Sequence, residues 1–152
     1  MLQRIQTLYL LIASVAMLLA SVTPLAKFLV SGEQVIFEAM GVYLNNSLTD
    51  STWALMTIGA ITSVLALLTV FLYKGRLLQI RLTILNVLLM IGFYLYAGFL
   101  FYKMTTSSQL ENANISVAIG TFMPLVAIIT SIFAIRRIYA DEALVRSLSR
   151  LR

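Results

Sequence analysis

Four runs of about 20 residues carry no charged side chain: residues 5–26, 53–73, 82–102 and 115–135. At about 1.5 Å per residue, a helix of that length is about 30 Å long, the thickness of a bilayer's hydrocarbon core. Charge lies outside these runs, at their flanks. Hydrophobic residues make up 61% of the 152 and charged residues 11%, against about 45–50% and about 25% in soluble domains. So little charge could not cover a soluble domain of this size. The sequence therefore predicts an all-α membrane protein: a four-transmembrane-helix bundle in one integral membrane domain, with spans at about 5–26, 53–73, 82–102 and 115–138.

The basic residues predict an orientation. Arg4, Lys74, Arg76, Arg81, Arg136, Arg137, Arg146, Arg150 and Arg152 fall on one side of such a bundle, and only Lys27 and Lys103 on the other. The positive-inside rule then puts both termini in the cytoplasm. The net charge of +5 reads as topology rather than as a nucleic-acid footprint. The first run is expected to stay as a signal-anchor. Its best small-residue cleavage site, before Lys27, has Pro24 at the −3 position.

Residues 27–52 form the one sizeable outer loop. Runs at 28–30 and 34–38, separated by Ser31-Gly32-Glu33, predict a small extracytoplasmic β-hairpin. Val35, Ile36, Phe37, Met40, Val42, Tyr43 and Leu44 are too apolar for a solvated loop. They are expected to pack on the helix ends and the lipid interface, or to dock a partner. Thr49, Asp50 and Ser51 are candidate caps for the second helix, and Gly75 a candidate cap at that helix's end. Trp53, Tyr102 and Phe28 mark one membrane interface, and Tyr9, Tyr73 and Tyr139 the other. Asn45-Asn46-Ser47 and Asn114-Ile115-Ser116 match the N-glycosylation pattern, a signal that arises readily by chance.

Small residues recur on single helix faces: Ala13, Ala16 and Ala20; Gly59, Ser63 and Ala66; Gly120, Pro124, Ala127, Ser131 and Ala134. They predict close packing inside the bundle or against another membrane protein. Pro124 is expected to kink the fourth helix.

The chemistry is sparse. The chain has no histidine and no cysteine. Thiol nucleophiles, His-based acid–base pairs, ordinary zinc sites and common haem ligands are therefore excluded. No span carries an interior charge, the usual mark of an ion path or proton relay. No cofactor is expected. Asn86 is the conspicuous intramembrane polar residue, fit for an interhelical hydrogen bond or, less simply, a ligand site. Thr57, Thr62, Thr69, Thr83, Thr121 and Thr130 can bond back to their own helices. An enzyme would have to rely on Glu33, Glu38 or Asp50 at the outer surface.

The tail, residues 139–152, is predicted to be a C-terminal cytoplasmic amphipathic helix. Ile138, Leu144, Val145, Leu148 and Leu151 fall within about 140° of arc, with Glu142, Arg146 and Arg150 opposite. Asp141 and Glu142 suit a helix start, and Glu142 is spaced to pair with Arg146. Asp141, Glu142, Arg146, Arg150 and Arg152 are the candidate interaction residues, for anionic lipid headgroups at the cytoplasmic face or for an acidic partner surface. A membrane-protein partner or a homo-oligomer is expected.

The start, Q-R-I-Q with L-Y-L, and the end, D-E-A-L-V-R-S-L-S-R-L-R, resemble the two ends of a domain-of-unknown-function family of small bacterial inner-membrane proteins with four spans. The resemblance implies location and topology and assigns no activity. The function expected is that of a non-enzymatic accessory subunit or scaffold of a larger membrane assembly. The alternative is a small carrier or channel for a lipid-like or amphipathic solute.

Overall fold

The computed structural model describes residues 2–30, 33–45, 47–72, 75–106 and 114–150, with 2–4, 30 and 144–150 described by backbone alone. Along the chain lie α1 (Leu2–Val22), β1 (Ala26–Val30), β2 (Glu33–Phe37), β3 (Gly41–Leu44), β4 (Ser47–Ser51), α2 (Trp53–Phe71) and α3 (Arg76–Thr106). Then follow β5 (Asn114–Val117), a 3₁₀ turn (Ile119–Thr121) and α4 (Met123–Arg150).

The fold is not the all-α bundle with a small hairpin that the sequence predicts. Four helices are joined to a five-stranded antiparallel sheet of order β4-β3-β2-β1-β5. The expected hairpin is its centre, with Phe28 opposite Val35 and Val30 opposite Glu33. β3 and β4 extend it on one side and β5 on the other. Asn45 turns β3 into β4 at φ 47°, a left-handed conformation that Asn tolerates better than most residues. β5 takes the start of the fourth apolar run. Its β-branched Ile115 and Val117 gain partners in Phe28 and Ala26, where the helix interior would restrict them.

Both prolines mark helix boundaries. Pro24 follows the end of α1, and Pro124 is the second residue of α4. In the first turn its missing N–H would be unpaired anyway, so it starts the helix rather than kinking it. Residues 49–51 belong to β4, and the residue before α2 is Thr52, whose hydroxyl makes no cap. It donates instead to the carbonyls of Glu38 and Ala39 at 3.1 and 3.0 Å, fastening the helix start to the sheet. Gly75 serves both helices: its N–H donates to the carbonyl of Leu72, the C-cap of α2, at 3.1 Å, and its carbonyl accepts from the Gln79 N–H at 2.9 Å.

In the bundle α1 packs against α2 and α4, and α3 closes the ring against both. The small-residue faces are spent here. Ala13, Ala16, Ala20, Gly59, Ser63, Ala66, Gly120, Pro124, Ala127, Ser131 and Ala134 are all buried. Ser14 and Ser63 each donate to the other's carbonyl at 2.9 Å, so α1 and α2 meet backbone to backbone. A Cβ at Gly59 would run into the Ser21 hydroxyl. The sheet covers the end of the bundle opposite the α2–α3 connection. Its inward side chains Ala26, Phe28, Val35, Phe37 and Val42 join Met17, Leu55, Met90 and Phe93 in one core. Phe28 is therefore a core residue, its ring tilted against that of Phe101 with centroids 5.5 Å apart, and not an interface marker.

The outward helix faces are apolar too. All four helices are long and apolar enough to cross a membrane, and only 17% of the α3 apolar window is buried. Trp53 and Tyr102 are exposed near helix ends, and Tyr139 is exposed within α4. α3 has 31 residues and α4 has 28, lengths of about 46 and about 42 Å that overrun a bilayer core of about 30 Å.

Candidate functional site

The structure separates three places where this chain could engage something else. The first is the α4 arm. The sequence places Asp141 and Glu142 at a helix start, but α4 runs without a break from Met123 to Arg150, so they lie well inside it. Their charge meets Arg76, the first residue of α3. The guanidinium lies 3.6 Å from the Asp141 carboxylate and 4.0 Å from that of Glu142, and donates to the Asp141 carbonyl at 3.3 Å. All three side chains are partly shielded, which makes this contact worth more than a fully exposed pair. In the sequence Arg76 looks like a topology charge alone. Its partners lie 65 residues away. The backbone of Arg146 and Arg150 continues the same helix. Their side chains, and Arg152 altogether, lie outside the described residues.

The second place is Asn86. It is buried, and neither its amide oxygen nor its amide nitrogen has a hydrogen-bond partner. The interhelical bond expected of it is not made. Gln6 Nε2 and Ser131 Oγ are likewise buried and unpartnered. Gln79, by contrast, donates to the Thr69 carbonyl at 3.1 Å. Thr57, Thr62, Thr69, Thr83 and Thr130 bond back within their own helices as expected. Thr121 is the exception and donates to the Leu25 carbonyl.

That exception belongs to the third place, a cavity of about 270 Å³ where α3, the start of α4 and the sheet diverge. Its walls include Leu25, Phe37, Phe93, Gly98, Phe101 and Val117. The polar groups on its lining are already engaged. The Tyr94 hydroxyl donates to the Thr121 carbonyl and accepts from the Leu125 N–H, and the Thr121 hydroxyl is held by Leu25. Sequence reasoning missed this cavity, because it exists only once β1 and β5 pair across the helix ends.

The acidic residues at the sheet do not converge. Glu33 opens β2 opposite Val30, while Asp50 lies across from Val42 near the strand's other end. Among the described residues no three His, Cys, Asp or Glu side chains group as a metal site would require.

No curated protein and no solved structure matches the chain. A family model matches residues 2–151. With nearly its whole length covered, the chain belongs to the family described as Domain of unknown function (DUF4293).

Proposed function

We propose that this chain is a non-enzymatic, multi-pass protein of a bacterial inner membrane, with both termini in the cytoplasm, acting as an accessory subunit or scaffold of a larger membrane assembly. The observation that carries this reading is the α4 arm. The fourth charge-free run ends before Arg136, yet the helix continues to Arg150. Arg76 braces it at Asp141 and Glu142. A braced helix that leaves the bundle and carries Arg146 and Arg150 supports recognition of an acidic surface, either anionic headgroups or a partner protein. The small-residue faces are used up inside the bundle, so the arm and the sheet remain as contact surfaces.

The test is to replace Arg146, Arg150 and Arg152 with glutamine together. Insertion should persist, because Lys74, Arg76, Arg81, Arg136 and Arg137 still flank the spans. Recovery of co-purifying proteins, or binding to anionic vesicles, should fall in a salt-sensitive way, by about 1 kcal/mol per arginine removed. Unchanged partners and unchanged vesicle binding would refute the role given to the arm.

The apolar cavity between α3, α4 and the sheet favours a second reading, in which the chain holds or transfers a lipid-like solute.

A further inference from the structure

The cavity beside Gly98 is apolar, half enclosed and open to the side. Tyr94 and Thr121 are its polar lining residues, and their hydroxyls are bonded to backbone groups. A water molecule there would lack the two to four polar partners that hold a buried water. A polar ligand would lose its hydration for nothing. Left unfilled, the walls would forgo dispersion contacts on one side. The volume of about 270 Å³ has room for about nine groups of water or methylene size, at ~30 Å³ each.

The mouth lies between α3 and β5. Gly98 and Val117 both line the cavity and are both exposed. A Cβ built on Gly98 would meet nothing within 4 Å, so the glycine leaves the mouth open. Gly98 stands one helical turn, about 6 Å, from the exposed Tyr102, which the proposed topology puts at the outer interface. The opening therefore sits just beneath headgroup level, where the upper part of a phospholipid's acyl chain runs.

We propose that this cavity is a binding site for one acyl chain of a membrane glycerophospholipid, entering sideways between α3 and β5. The proposal rests on the four helices crossing a bilayer, as argued above, and not on the accessory-subunit role. The lipid is held by shape and dispersion alone. Substitutions that fill the mouth should block it, and charges elsewhere should matter little.

The test uses the full chain in phosphatidylethanolamine–phosphatidylglycerol vesicles containing a phosphatidylethanolamine with a diazirine in mid-chain. After photolysis, labelled residues are mapped by mass spectrometry. In the natural sequence, label should concentrate on residues 93–101 and 117–124 relative to the outward α2 positions Ile61 and Val64. Gly98→Leu should cut that cavity label about tenfold and leave the α2 label unchanged. Gly92→Leu should change neither, because a Cβ at Gly92 also meets open space but Gly92 does not line the cavity. Val117→Phe narrows the mouth from the other wall, on an exposed strand, and should act as Gly98→Leu does even if that variant misfolds.

Cavity label no stronger than α2 label, or unaffected by both filling variants, would overturn the proposal. Labelling by a diazirine free fatty acid but not by the phospholipid would overturn the choice of lipid. Alkaline carbonate extraction of the same vesicles separates the two levels. A chain released by carbonate contradicts the spanning reading, whereas a retained chain without cavity label contradicts only this inference.

Discussion

At Gly59 a single missing side chain sets how closely α1 and α2 approach. A Cβ there would collide with the Ser21 hydroxyl and crowd the Phe93 ring at 3.3 Å. Gly59→Leu should therefore destabilise the fold by about 1–3 kcal/mol, the usual range for overpacking. Gly92→Leu, on an open part of α3, should leave thermal unfolding in mild detergent unchanged. Equal effects of the two would mean that α1 and α2 are not packed as described. Asn86 is the opposite case, a residue whose side chain gains nothing from its burial. Both ends of its amide are unpartnered, which costs about 1–3 kcal/mol. Asn86→Leu is expected to raise the unfolding temperature, by removing that penalty with the same branched shape. A fall would show that the amide has a partner in the working protein. At this scale the sequence was most legible where a residue acts on its own helix. The hydroxyls of Thr62, Thr69 and Thr83 bond as their positions predicted. Arg76, Thr52 and Thr121 could not be read, because their partners come from distant segments.

Among the elements, the apolar runs located the four helices, since a charge-free run of about 20 residues has few other ways to fold, but not the full lengths of α3 and α4, which overrun them. The first hairpin was equally plain from its Ser-Gly-Glu turn. The rest of the sheet was not. β5 pairs with β1 at a separation of 89 residues, and in isolation Asn114–Val117 is only the apolar beginning of a span. β3 and β4 did leave a local sign, an Asn-Asn pair between short alternating runs, which is a hairpin turn signal that competes with the glycosylation pattern on the same residues. The tail helix was visible in its periodicity, but its start was misplaced, because acidic residues that suit a helix N-terminus suit an arginine partner equally well. The brace itself can be tested by charge exchange. Arg76→Glu should loosen the arm by about 1 kcal/mol, read as faster proteolysis C-terminal to Ala143. Adding Asp141→Arg should restore protection in part. Equal cleavage of all three proteins would show that the brace does not hold the arm.

The whole molecule joins three layers: an apolar bundle, a sheet over one end and a charged helical arm at the other. The lopsided basic residues and the four apolar helices support a chain that crosses the bilayer four times, with the sheet outside and the arm inside. The sheet ties the α1–α2 and α3–α4 connections together through β1 and β5. The central claim is that arrangement across the membrane, and the chain's lack of cysteine allows it to be measured without background. Single cysteines at Ser47, on β4, and at Gly75, before α3, are both at exposed positions. They are treated with a membrane-impermeant maleimide in cells whose outer envelope has been made permeable. The account predicts labelling at Ser47→Cys and none at Gly75→Cys until the inner membrane is lysed. Labelling of Gly75→Cys in sealed cells, or of both positions equally, would contradict it.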